Sequence, residues 1–190
     1  MTSTPFVMKV DAPYPSGWCR AGNPPKTNKV NMTLRLALFQ PDIPQNAGTM
    51  LRLCACMGVG TAIIEPASFP VSDRAFRRAG MDYLDRIDID RHISFAAFEA
   101  WRAETGHRLV LLTTRATVPH TKFAFELDDI LLVGRESAGV PDVVHEAADA
   151  RIIVPMRPAL RSLNVAMAAS MVLGEALRQT GGFSDLVPAG

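Results

Sequence analysis

From Leu34 onward, short aliphatic runs alternate with stretches in which apolar residues recur every three or four positions. The runs at 34–39, 61–65, 109–113, 130–133 and 151–154 are almost continuously apolar. That pattern predicts strands of a parallel sheet covered on both faces. Helical periodicity falls at about 47–57, 94–104, 140–148 and 163–179. Strands alternating with helices predict an α/β fold, a mainly parallel sheet with helices on both faces. No internal repeat or low-complexity run interrupts the alternation.

Two of the helices carry more information. In the first, Ala47, Met50, Leu51, Cys54 and Met57 form one apolar face, with Asn46 expected as N-cap and Gly58 as the stop. Arg52 points away from that face, so it is either solvated or projects into a site. The last helix, expected to start on a Ser162 cap, is apolar nearly all round. Such a helix needs cover on both sides. The sheet supplies one side, and a second copy of the chain or residues 1–33 supplies the other.

Residues 1–33 break the alternation. Pro5, Pro13, Pro15, Pro24 and Pro25, with Gly17 and Gly22, predict an irregular extension. The folded domain is expected at 34–182, followed by a short tail at 183–190.

Composition narrows the class. Hydrophobic residues make up 48% and charged residues 21% of 190, ordinary for a globular protein. No apolar run reaches the ~18 residues that cross a bilayer, and the start lacks a secretory pattern. A cytoplasmic protein is expected. Three cysteines, Cys19, Cys54 and Cys56, suggest reduced thiols rather than a disulfide framework. His92, His107, His120 and His145 pair with no cysteine at ligand spacing, so no metal is expected. A net charge of +1 means that any nucleic-acid surface must be local, as at Arg74, Arg77 and Arg78, or at Arg157 and Arg161.

Chemistry is expected in the loops after the strands, because open α/β sheets bind ligands beyond the carboxyl ends of their strands. After the first strand comes Gln40-Pro41-Asp42-Ile43-Pro44-Gln45-Asn46-Ala47-Gly48, then Arg52. After the fourth comes Gly134-Arg135-Glu136-Ser137-Ala138-Gly139-Val140-Pro141. This is not the dinucleotide fingerprint, since Glu136 stands where a glycine is needed. After the fifth comes 155–164, in which Ser162 and Asn164 open the final helix. No nucleophile elbow, phosphate-binding loop or zinc-deaminase signature is present.

Together the three loops resemble, in order, the three signatures of the SpoU branch of the SPOUT methyltransferases. These are Pro44-x-Asn46-x-Gly48-x-x-x-Arg52, Gly134-x-Glu136-x-x-Gly139-Val140, and Pro155-Met156 followed by Ser162-Leu163-Asn164-Val165-Ala166. Within that branch the chain is most similar to the small enzymes that act on the wobble position of tRNA. Ile64-Glu65-Pro66, 77–83 and Leu112-Thr113-Thr114 add to this likeness. Thr49 stands where asparagine is common, and Ala138 where arginine is common.

The resemblance implies a C-terminal trefoil knot, a homodimer and S-adenosylmethionine as methyl donor, leaving S-adenosylhomocysteine. It places the cofactor against Leu112, Thr113, Gly134, Glu136, Val154, Met156, Ser162 and Leu163. It assigns catalysis to Arg52, Asn46, Glu136 and Asn164. The implied reaction methylates the ribose 2′-hydroxyl of nucleotide 34 in the anticodon stem-loop of tRNA. Arg74, Arg77, Arg78, Tyr83 and Arg161 are the candidate RNA contacts. Another tRNA position, a ribosomal RNA, or a catalytically silent RNA-binding dimer are the competing readings.

Overall fold

The computed structural model describes residues 34–70, 78, 89–160, 162–184 and 186. The extension at 1–33, with Cys19, lies outside the described residues. Seven strands are described: β1 (Arg35–Phe39), β2 (Gly60–Ile64), β3 (Ile89–His92), β4 (Arg108–Leu112), β5 (Val118–Pro119), β6 (Asp129–Val133) and β7 (Ala150–Ile153). They form one sheet in the order β3-β2-β1-β6-β4-β7-β5, and every pairing is parallel. Strand β6, late in the chain, is inserted between β1 and β4, which form earlier in sequence.

Alternation along the central strands divides the core in two. Leu36 and Leu38 of β1 and Leu131 and Val133 of β6 face one side. There they pack under α1 (Pro44–Met57) and α4 (Val165–Thr180), which bring Met50, Leu51, Val172 and Leu173. Ala37, Phe39, Ile130 and Leu132 face the other side. There α2 (Phe95–Thr105) contributes Phe98, and α3 (Asp142–Ala147) contributes Val144. Covering both faces requires apolar residues at consecutive positions, which is why the central runs show no polar alternation.

All five expected strands are present, each shifted by no more than a residue at either end. The two strands that the pattern missed lie at the sheet edges. Ile-Asp-Arg-His of β3 is largely polar, and β5 is two residues long. An edge strand has less surface to bury, so it leaves no continuous apolar run.

Both expected helix caps are displaced. Helix α1 begins earlier, with Ile43 at the N-cap and Pro44 in the first turn. Proline suits that position because its preset φ is helical and no N–H is required there. Asn46 is therefore inside the first turn and does not cap it. Gly58, with φ of 65°, closes α1 in the left-handed conformation as expected. Helix α4 is capped by Asn164, whose side chain accepts from the Ala166 and Met167 N–H groups. Ser162 is not the cap. Helix α3 is shorter than expected, ending at Ala147.

One ion pair ties the sheet together at the amino end of its central strands. The fully buried Asp129 carboxylate takes Arg108 Nε at 2.6 Å and Nη2 at 2.9 Å. Its second oxygen also accepts the Glu126 N–H at 2.9 Å. Arg108→Ala would leave that carboxylate buried without its cation. We expect Arg108→Ala to cost about 3–5 kcal/mol and Arg108→Lys, which loses the two-pronged geometry, to cost less. Urea unfolding of the two variants checks the order.

Candidate active site

Because the strands are parallel, their carboxyl ends share one edge of the sheet. The loops after β1, β4, β6 and β7 meet there around a cavity of about 440 Å³. After β6 the chain makes a tight turn. Arg135 N–H donates to the Gly139 carbonyl at 3.0 Å, and Gly139 N–H donates back to the Arg135 carbonyl at 2.8 Å. Gly139 has a φ of 66°. Gly134 is required for a different reason: a Cβ there would lie 2.7 Å from the Gly139 carbonyl carbon and 2.9 Å from Val140 Cγ1.

The turn presents Glu136 to the loop after β1. Glu136 Oε1 accepts from Asn46 Nδ2 at 3.1 Å, and Oε2 accepts from the Asp42 N–H at 3.3 Å. Asn46 Oδ1 in turn accepts from Asn164 Nδ2 at 3.1 Å. Asn164 Oδ1 accepts the first free N–H groups of α4, from Ala166 at 2.9 Å and Met167 at 3.2 Å. One hydrogen-bonded chain therefore joins all three loops singled out in the sequence. Asn46 can take part because Pro44 starts the helix two residues earlier and leaves the amide free.

Two carboxyls meet in this network. The hydrogen bond with the Glu136 carboxyl holds Asp42 well below the usual carboxylate range, against the opposing effect of burial; the Ser137 hydroxyl and the Glu136 and Ser137 N–H groups add to the lowering. Burial pushes Glu136 up, and its hydrogen bond with Asp42 reinforces this, while Asn46 opposes it. Asp42 thus keeps its charge most readily, and any shared proton rests with Glu136.

Leu112, Thr113, Gly134, Glu136, Val154, Met156, Ser162 and Leu163 all line the cavity, together with Asn46 and Asn164. Leu112, Val133 and Val154 form apolar wall, and Thr113 and Ser162 add hydroxyl groups. Arg52 is half-buried, six residues beyond Asn46 on α1, and is not part of the wall.

A model of the SpoU rRNA methylase family matches residues 33–174. The chain belongs to the SpoU rRNA methylase family. It is 69% identical over 154 residues to a tRNA (cytidine(34)-2′-O)-methyltransferase of Beijerinckia indica subsp. indica, covering 81% of this chain and 96% of that protein. It is 40% identical over 150 residues to the Escherichia coli K12 protein of the same name, covering 78% and 94%. A solved structure described as giving insights into the 2-OH methylation of C/U34 on tRNA superposes with a TM-score of 0.74. It is 37% identical, over 77% of this chain and 95% of that one. The SpoU methyltransferase AviRb from Streptomyces viridochromogenes, in complex with AdoMet, gives 0.73 at 26% identity, over 80% and 62%.

For a SpoU-family chain, two residues at the site carried more than their sequence pattern suggested, one behind the cavity wall and one on it. Asp42 accepts from the Glu136 and Ser137 N–H groups at 3.0 and 3.2 Å, and from the Ser137 hydroxyl. Arg135 lines the cavity, with Nε 3.9 Å from Asp42 Oδ2. The available signal was a carboxylate between Pro41 and Pro44, in a stiff loop at a strand's carboxyl end. Of the candidate RNA contacts, Arg78 is exposed, while Arg74, Arg77, Tyr83 and Arg161 lie outside the described residues. Cys54 is buried on α1, and burial pushes its thiol up to about 12. Cys56, also free, is exposed.

The two glycines of the turn should respond differently to alanine. Gly139→Ala meets open space but a positive φ, so it should cost about 1 kcal/mol. Gly134→Ala drives a methyl into backbone and should cost about 1–3 kcal/mol. Thermal melting of both variants checks the ranking, and equal melting temperatures would contradict the close packing at Gly134.

Proposed function

We propose that this chain transfers the methyl group of S-adenosylmethionine to the ribose 2′-hydroxyl of nucleotide 34 of tRNA. The carrying observation is the chain Glu136–Asn46–Asn164, which joins the three loops on the wall of one cavity. Relatives 69% and 40% identical that bear the name of this activity support the choice of RNA and position.

The residues present fit the cofactor. A cavity of about 440 Å³ suits a ligand of that size. Leu112, Val133 and Val154 offer an apolar slot for an adenine ring, and Thr113 and Ser162 offer hydroxyls to its polar edges. At Gly134 only a residue without a Cβ leaves the turn room to close on Gly139 and Val140 and so shape that wall. S-adenosylmethionine supplies an electrophilic methyl on a sulfonium that is already a good leaving group. The protein's work is then mainly alignment, which can contribute roughly 7–11 kcal/mol.

Asn46, held by Glu136, and Asn164 fix the polar wall against which the ribose is placed. An arginine side chain stays protonated in proteins, so Arg52 serves as an electrostatic group rather than a base. It orients a substrate phosphate or stabilises the developing 2′-alkoxide. The candidate contacts to the anticodon stem-loop are Arg74, Arg77, Arg78, Tyr83 and Arg161.

Two further parts of the reading come with the family. The C-terminal segment forms a trefoil knot, and the protein works as a homodimer. The dimer has support in the exposed apolar stripe of Leu163, Met167 and Met171, the last two one turn apart on α4. A second copy covers that stripe.

Labelled methyl transfer to bulk tRNA, followed by nuclease mapping, tests the proposal. We expect label on the ribose of nucleotide 34. Arg52→Lys keeps the charge but loses the fork and should lower kcat on the order of 10²–10³-fold. Near-normal turnover in Arg52→Lys removes Arg52 from that role, and label at another nucleotide overturns the choice of substrate.

A further inference from the structure

Asp42 makes more of the contacts between the loops after β1 and β6 than any residue in the family signatures. Its Oδ1 accepts the Glu136 N–H at 3.0 Å, and its Oδ2 accepts the Ser137 N–H at 3.2 Å and the Ser137 hydroxyl. Its own N–H donates to Glu136 Oε2 at 3.3 Å. Two residues of the β6 turn are therefore gripped through backbone as well as side chain. The Asp42 side chain is only 13% exposed, and Pro41 and Pro44 stiffen the backbone around it. Such charge-assisted bonds to backbone N–H groups are among the stronger ones.

The geometry points to Asp42 as a positioning residue of the methyl-transfer site, clamping the 134–139 turn so that Glu136 meets Asn46 and the cavity keeps its wall. This rests on the methyltransferase reading above. Asp42 itself is not part of the cavity wall, so its action runs through Glu136. Loss of the clamp frees the turn that carries Gly134, Arg135, Glu136 and Gly139, all of them wall residues. The Asp42 N–H still reaches the second Glu136 oxygen, but nothing then holds the Glu136 and Ser137 backbone against it. Asn46, and through it Asn164, then lose their fixed orientation. The held charge on Asp42 and the raised Glu136 carboxyl agree with two carboxyls kept in contact by such a clamp.

The test compares Asp42→Ala, Asp42→Asn and Ser137→Ala in the full chain. S-adenosylmethionine affinity is measured by calorimetry, kcat and KM with tRNA by labelled methyl transfer, and the folded fraction by thermal melting. In Asp42→Ala, cofactor affinity and kcat per folded chain should each fall on the order of 10–100-fold, with KM for tRNA within about threefold of wild type. Asp42→Asn keeps one acceptor for the Glu136 N–H and should lose less on both measures. Adding Ser137→Ala to Asp42→Ala should cause no further loss, because its partner is already gone.

Wild-type affinity and kcat in both Asp42 variants overturn the proposal. So does a loss seen only as a lower melting temperature, with affinity and kcat per folded chain unchanged. A wild-type chain that binds cofactor but methylates no tRNA defeats the functional reading alone, and the affinities still decide on Asp42. A wild-type chain that binds no cofactor defeats both.

Discussion

Seven strands running the same way bring the ends of four of them, β1, β4, β6 and β7, to one edge of the sheet. Everything else at the site depends on that constraint. Residues 42, 136 and 164 are far apart in sequence, and only β6 lying directly against β1 brings the first two together. The register pairs Leu38 with Val133, so the loops that follow leave the sheet side by side. The pair of Arg108 with the buried Asp129 acts at the opposite end of β4 and β6. It fixes the strands against each other away from the cavity, so the cavity edge can carry loops instead of packing.

The central part of this fold was legible because it is buried on two sides. Consecutive apolar residues in β1, β4 and β6 leave no room for another reading, and the run boundaries fell within a residue of the strands. The edges were not legible for the same physical reason. Asp90 and Arg91 in β3 reach solvent and ion pairs, with Arg35 and Glu65, so their strand shows no apolar run. The cavity wall was legible only through family likeness. Leu112 and Val154 look like any core residue, and nothing in their spacing says that one side of each faces a cavity.

The caps show a subtler limit. Asn46 and Ser162 are good capping residues, and intrinsic preference alone assigns them to helix starts. Preference says what a residue can do at a helix terminus, not whether another residue already does it. Pro44 opens α1 and Asn164 caps α4, so both expected caps are superseded. Asp42 was passed over for the opposite reason. A lone carboxylate in a proline-rich loop has no periodic pattern, and its three acceptor contacts come from a turn 94 and 95 residues away in sequence.

The polar chain also has a direction that follows from its residue types. An ionised Glu136 carboxylate can only accept, so Asn46 must turn its NH₂ toward it and its carbonyl oxygen outward. That oxygen can only accept, so Asn164 must turn its own NH₂ toward Asn46. The Asn164 oxygen is then left facing the α4 N–H groups, which can only donate. Each amide is used as donor and acceptor at once, and each orientation forces the next. An aspartate at 164 would still cap α4 but would set a carboxylate against the Asn46 oxygen. A serine would cap but could not span the distance. Glu136 meets the Asp42 loop through its other oxygen, Oε2, so a proton held on that side leaves Oε1 an acceptor and the chain keeps its direction. Holding Asp42 and Glu136 in contact through Oε2 therefore leaves Oε1 to set the direction of the chain through its amide donor.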